Sequence, residues 1–136
     1  MKWIYPDNIT EQDILESSGF VYKITNLLNN KEYIGKKFVY SFRTKIVNGK
    51  RKKTKTVSDW KTYQGSCEPL KLDIEMYGEE NFKKEIISIH RTRTETNYTE
   101  IELQMKNDVL RAKNELGEFK FYNGNILHKF FRNNIK

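Results

Sequence analysis

The order of elements written in this chain predicts an α/β domain, with a small central three-stranded sheet, mixed or antiparallel, flanked by helices. Three observations carry that expectation. Phe20–Thr25 and Glu32–Phe38 both have strand composition and are separated by turn residues. A third strand-like run, Phe82–His90, comes much later. Helical patterns lie between and after these runs, and no repeat, linker or low-complexity tract interrupts them. The length of 136 residues suits one domain, and eight Tyr, eight Phe and two Trp are far from a disordered composition.

Element by element, Thr10 followed by Glu11, Gln12 and Asp13 reads as an N-cap with acids in the first turn, so a short helix is expected over 11–16. The two early strands form a β-hairpin. Val39–Ile46 is expected to be a short helix, followed by a turn at Asn48-Gly49 and an exposed, mobile basic loop to about Ser58. Pro69 suits the first turn of a helix that carries Leu70, Ile74 and Tyr77 at helical spacing and stops at Gly78. After the third strand, Thr94 caps a long helix with Tyr98, Ile101, Met105, Val109 and Ala112 on one face, broken at residues 115–118. The segment from Phe119 to Lys136 ends in a basic, aromatic tail from about 126.

Composition excludes several functions. No apolar run approaches the length needed to cross a bilayer, and the first residues lack the pattern of a secretory signal. Cys67 is the single cysteine, and His90 and His128 stand far apart, which leaves no disulfide and no cysteine-based zinc site. These features predict a cytoplasmic protein (host cytoplasm if phage-encoded). The net charge of +7 suggests a polyanionic partner. Its distribution is more telling: Arg43, Lys45, Lys50, Arg51, Lys52, Lys53 and Lys55 follow one another without an intervening acid.

The hairpin places two phenols by period-two geometry. A two-residue turn at Asn29-Asn30 would pair Tyr33 with Asn26 and leave Tyr22 about 13 Å along the strand. A four-residue loop, 27–30, pairs Ile24 with Tyr33 and Tyr22 with Gly35, and makes the tyrosines diagonal neighbours about 7–8 Å apart. The longer loop is the expected one, with Gly35 leaving a hollow for a phosphate.

Phe20-Val21-Tyr22, Tyr33-Ile34-Gly35 and Arg43, ten residues after Tyr33, resemble the GIY-YIG nuclease family, with Phe-Val-Tyr in place of its name-giving first motif. Gly19–Asn26, Trp60–Ser66 and Tyr77–Phe82 are similar to text of its small free-standing bacteriophage members, and the resemblance spans residues 19 to about 125. It implies a metal-binding glutamate on a later helix and an asparagine near the end of the domain. Glu100 is the best match for the first, with Glu102 second; Asn123 is the best match for the second, with Asn125 behind it and residues 113–119 as an inserted turn.

These residue types suit phosphodiester hydrolysis, which needs an in-line water, charge neutralisation at phosphoryl oxygens and help for the leaving oxyanion. The resemblance implies a DNA endonuclease holding one Mg²⁺ or Mn²⁺ per active site on Glu100. Tyr22 would take the proton from water, Tyr33 would orient water or phosphate, Arg43 would clamp phosphate and Asn123 would position. A phenol serves as base only if cations lower its pKa, and Lys23, Lys31, Lys36 and Lys37 are the candidates. Lys36, Lys37, Lys45, Lys50, Arg51, Lys52, Lys53 and Lys55 are expected to contact DNA. One site cuts one strand, so a homodimer or two events would be needed for both. The alternative is a non-catalytic nucleic-acid-binding module of the same shape, for which Glu100 would have no use.

Overall fold

The hairpin forms in the register expected from its loop. In the computed structural model, which describes residues 1–135, β2 (Gly19–Asn26) and β3 (Glu32–Phe38) pair antiparallel, with Ile24 opposite Tyr33 and Tyr22 opposite Gly35. Asn26 closes the four-residue loop: its N–H donates to the Lys31 carbonyl, and its side chain accepts from the N–H of Leu28. β6 (Phe82–His90) lies on the other side of β2, also antiparallel. A fourth strand that the sequence did not announce, β1 (Trp3–Ile4), adds parallel to β6, so the mixed sheet runs β1-β6-β2-β3 and β3 is an edge.

Alternation along β2 divides the core in two. Phe20, Tyr22 and Ile24 face a cluster containing Ile14, Trp60, Leu70 and Ile74; Val21 faces the opposite side, with Ile34, Val109, Leu110, Phe121 and Ile126. The first side is covered by α1 (Glu11–Leu15) and α2 (Glu68–Tyr77). Thr10 and Asp13 close a reciprocal capping box on α1, and Pro69 and Gly78 bound α2 as expected. The second side is covered by α3 (Arg93–Lys106), which packs close to the sheet where Thr96 meets Gly19. A Cβ on that glycine would stand 3.0 Å from the Thr96 methyl group.

Three expectations are corrected. Residues 39–46 do not form a helix, and the basic run is not a loop: β4 (Tyr40–Val47) and β5 (Lys50–Val57) make a separate two-stranded ribbon. Asn48 and Gly49 both take positive φ, 52° and 76°, the backbone of a tight hairpin turn whose twist matches the strands. α3 starts after Thr92 rather than Thr94 and ends at Lys106, before Val109 and Ala112 can share its face, because Asp108 turns left-handed at φ 49°. Tyr98 and Met105 are exposed; Thr96 and Gln104 are the residues α3 buries. The tail folds back as the small hairpin β7 (Asn125–Ile126) and β8 (Phe130–Phe131), and Arg132 donates to the carbonyls of Val109, Leu110 and Phe121. That arginine is committed to holding the chain together. The last residue of the expected tail, Lys136, lies outside the described residues.

One buried cation braces this frame. Lys84 on β6 is fully buried, its Nζ donating to the carbonyls of Lys61 (3.0 Å) and Tyr63 (2.9 Å) and lying 4.2 Å from the Trp3 ring centroid. Burial lowers its pKa to about 8, with Glu79 opposing the shift. The unfolded chain therefore binds more protons than the folded one between about pH 8 and the ordinary lysine range, and stability due to this group rises with pH across that window. Thermal unfolding from pH 8 to 10 is expected to show the rise in the wild type and to lose it in Lys84→Met.

Candidate active site

The free edge of β3 is where both sides of the sheet can reach one place. The outward-pointing peptide groups of Ile34 are taken by side chains instead of a fifth strand. The Ile34 N–H donates to Asn123 Oδ1 (3.1 Å), and its carbonyl accepts from Asn123 Nδ2 (2.8 Å) and Gln104 Nε2 (3.1 Å). Next to it, Glu32 exchanges backbone hydrogen bonds with Lys120 and Tyr122, so residues 120–123 cover the edge. Residues 113–119 form a turn: Lys113 bridges to Phe119, and Asn114 caps it by accepting from the N–H groups of Leu116 and Glu118.

Around this edge opens a pocket of about 620 Å³ whose walls include Tyr22, Tyr33, Lys36, Tyr63, Glu100 and Asn123. The two strand tyrosines come from the first side of the sheet; Glu100 comes from α3 on the other. The phenol rings lie 6.1 Å apart, centroid to centroid, at 44°. A register irregularity in the β2–β6 pairing falls between Val21 and Tyr22, as expected where a side chain is aimed at a site. The hollow foreseen at Gly35 is filled by the tyrosines rather than left for phosphate. A Cβ there would stand 2.6 Å from the Tyr22 hydroxyl and 2.8 Å from the Tyr33 ring. Gly35 is thus the residue that lets the two rings share one face.

The electrostatics differ from what a free phenolate would need. Tyr22 is almost wholly buried, and burial, with Tyr33, Tyr63 and Glu100 adding to it, pushes its pKa well above the usual phenol range. Tyr33 is pushed up to about 12, again chiefly by burial. Of the four candidate lysines, Lys23 pairs with Glu32 (2.9 Å) and Lys31 lies over the Tyr122 ring. Lys37 pairs with Asp59 (2.7 Å) and sits 4.0 Å over Tyr63. Lys36 alone among them lines the pocket, with Nζ 3.8 Å from Glu100 Oε1 and hydrogen-bonded to Asn97.

Glu100 is mostly buried, and burial raises its pKa against the lowering effect of Lys36. A carboxylate drawn out of water and incompletely neutralised by one long ion pair is suited to holding a further cation. A lone carboxylate at Glu100 fits an ion that keeps most of its own water, as Mg²⁺ does. Glu102 is exposed and lies off the pocket; Asn125 lines it, with its side chain accepting from the N–H of His128.

Arg43 is not brought to this place. It stands on β4, opposite Thr54 and exposed, with the other ribbon cations. Its spacing from Tyr33 matched the expected pattern, but a ribbon replaces the predicted helix and carries the side chain away. Three pocket residues were not singled out for chemistry in the sequence. Tyr63 lies on the pocket wall, Gln104 gave no signal among polar helix residues, and Cys67 donates Sγ–H to the Tyr122 carbonyl at 3.4 Å. Trp60 is buried in the core.

The family model described as "Putative endonuclease segE, GIY-YIG domain" matches residues 3–126. Neither the curated proteins nor the solved structures give a match.

The packing around Gly35 makes a direct prediction. Gly35→Ala forces backbone and ring movement and is expected to lower stability by roughly 1–3 kcal/mol. It should also change the near-ultraviolet circular dichroism, which reports the tyrosine pair; an unaltered spectrum would contradict the packing. Asn123→Ala leaves the Ile34 N–H without a partner and is expected to cost about 1–3 kcal/mol in denaturant unfolding.

Proposed function

This chain belongs to the GIY-YIG endonuclease family, and from that premise we propose that it hydrolyses DNA phosphodiester bonds at the pocket over the β3 edge, with Glu100 as the metal ligand. The observation that carries this is the convergence of Tyr22 and Tyr33 from one side of the sheet and Glu100 from the other, with Lys36 beside the carboxylate. Members of the family generally use a divalent metal. Bound at Glu100, Mg²⁺ or Mn²⁺ would supply charge neutralisation at the phosphoryl oxygens and a more acidic water.

The chain's own groups do the rest. Lys36 is the cation on the pocket wall and takes the phosphate-contact role that the family resemblance implied for Arg43. Tyr33 orients water or phosphate. Tyr22 is a neutral phenol in the free chain, so it holds the attacking water by hydrogen bonding, and proton acceptance by it demands positive charge that no lysine among the described residues places against its hydroxyl. Asn123 positions: both ends of its amide hold the strand that carries Tyr33 and Gly35. Lys36 and Lys37 of β3 and Lys45, Lys50 and Lys52 of the ribbon bind DNA through phosphates. One pocket cuts one strand, so cutting both takes two chains or two visits.

Conversion of supercoiled plasmid in Mg²⁺, with EDTA as control, tests the reading. Wild type and Glu102→Ala are expected to nick, while Glu100→Ala loses on the order of 10²-fold or more. Nicking that survives Glu100→Ala would move the metal ligand; absent nicking with salt-sensitive plasmid binding would favour the binding module. Because burial raises the Glu100 pKa, its ionised form is lost as pH falls through a value above the ordinary carboxylate range. The Mg²⁺ concentration for half-maximal nicking is therefore expected to climb already at mildly acidic pH.

A further inference from the structure

The β4–β5 ribbon is the main feature that the pocket does not absorb. Its register separates its cations into two sets. Lys55, Lys53 and Arg51 stand opposite Phe42, Thr44 and Ile46 on one face; Arg43, Lys45, Lys50 and Lys52 share the other with Ser41 and Thr54. At the ribbon root the first face meets α3, and its lysines lie over the ribbon's own aromatic rings. Lys55 lies 4.0 Å over Tyr40 and Lys53 4.9 Å over Phe42, while Arg93 of α3 stacks on Phe42 and donates to the Tyr40 carbonyl. The second face has no such partners. Among the described residues, none of its four cations meets a carboxylate or an aromatic ring.

Lys45 sits directly opposite Lys52 on that face, a like-charged cross-strand pair that destabilises a free ribbon. Nothing along residues 41–57 offers a compensating acid. The face also leads to the site. Ser41 shares with Lys36, Lys37 and Tyr63 a depression beside the ribbon root, and Lys36 and Tyr63 line the candidate active pocket as well. A phosphate backbone leaving the pocket along this depression meets the ribbon next.

Dimensions select the ligand. Eight residues per strand extend about 27 Å at ~3.4 Å each, near the rise of eight base pairs. The major groove of B-form DNA, about 12 Å wide, admits a two-stranded ribbon, whereas that of A-form RNA is too narrow for side chains to read. Arg43 brings the planar fork that recognises a guanine edge, and Thr54 beside it brings a hydroxyl that serves either donor or acceptor.

We propose that the face of the ribbon bearing Arg43, Lys45, Lys50 and Lys52 enters the major groove of duplex DNA next to the pocket and selects which sequences are cut. Groove entry stands on the ribbon alone; selection of cut sites rests on the endonuclease reading.

The full chain carrying R43A/K45A/K50A/K52A is compared with R51A/K53A/K55A. Binding to a fluorescent 30-base-pair random-sequence DNA duplex is measured by anisotropy in EDTA across a salt series, and nick positions on plasmid are mapped in Mg²⁺. The four-residue variant is expected to lose about 10²-fold in affinity, with a salt slope shallower by about three to four. The three-residue variant should change by less than about tenfold. Replacing guanine by 7-deazaguanine, which deletes a major-groove acceptor, should weaken the wild type and leave Arg43→Ala unaffected, and Arg43→Ala should broaden the nick pattern. Equal losses in the two multiple variants, or equal competition by duplex RNA, would overturn groove entry. An unchanged nick map in the four-residue variant would overturn site selection. Face-dependent binding by a wild type that never nicks would sustain groove entry and instead refute the endonuclease reading.

Discussion

A single buried amide organises the region where chemistry is proposed. Asn123 satisfies both backbone groups of Ile34 on the exposed edge of β3, and Gln104 from α3 adds a second donor to the same carbonyl. An edge strand left bare would present unpaired peptide groups to solvent or to another chain. Here those groups anchor the C-terminal segment and α3 against the strand that carries Tyr33, Gly35 and Lys36. Glu100 and the tyrosines, which belong to opposite sides of the sheet, can meet only because this edge is both accessible and pinned.

The charge arrangement around that edge has two regimes. Inside, burial dominates: it keeps Tyr22 and Tyr33 protonated, raises Glu100 and lowers Lys84. Lys84 holds the carbonyl of Tyr63 from behind while Tyr63 contributes its ring to the pocket, so the wall near Tyr22 is set by a hydrogen-bonded cation deep in the core. Outside, the ribbon carries like charges against one another, and among the described residues none of its cations is in an ion pair. The first regime preorganises a small polar space; the second stores repulsion that a polyanion relieves. The two meet at Lys36 and Lys37, one lining the pocket and both lining the depression that leads from it.

The parts legible in the sequence were those set by short-range geometry. The four-residue loop determined which residues oppose each other across the hairpin, and from that the shared face of Tyr22 and Tyr33 followed. Pro69, Gly78 and the Thr10–Asp13 box marked helix ends because caps are local hydrogen-bond problems. The ribbon differs from the expected helix and loop although its signal is present: Asn48-Gly49 between two extended runs is the usual mark of a tight hairpin. A dense run of like charge was given more weight than that turn, and the short segment 39–46 fits either period. The face of α3 failed for a different reason, since Thr96 and Gln104 are buried by what they meet on β2 and β3.

By itself, the sequence determined the β2–β3 register and the tyrosine pair, because both depend on backbone periodicity and loop length, while Glu100 was indicated by family resemblance. Only tertiary structure decided that Lys36, not Arg43, stands beside Glu100, that Asn123 spends its amide on Ile34, and that the Gly35 hollow is occupied by its own tyrosines. Those outcomes depend on which edge of the sheet stays open and which layers close over it, and such long-range packing has no period for a sequence to display.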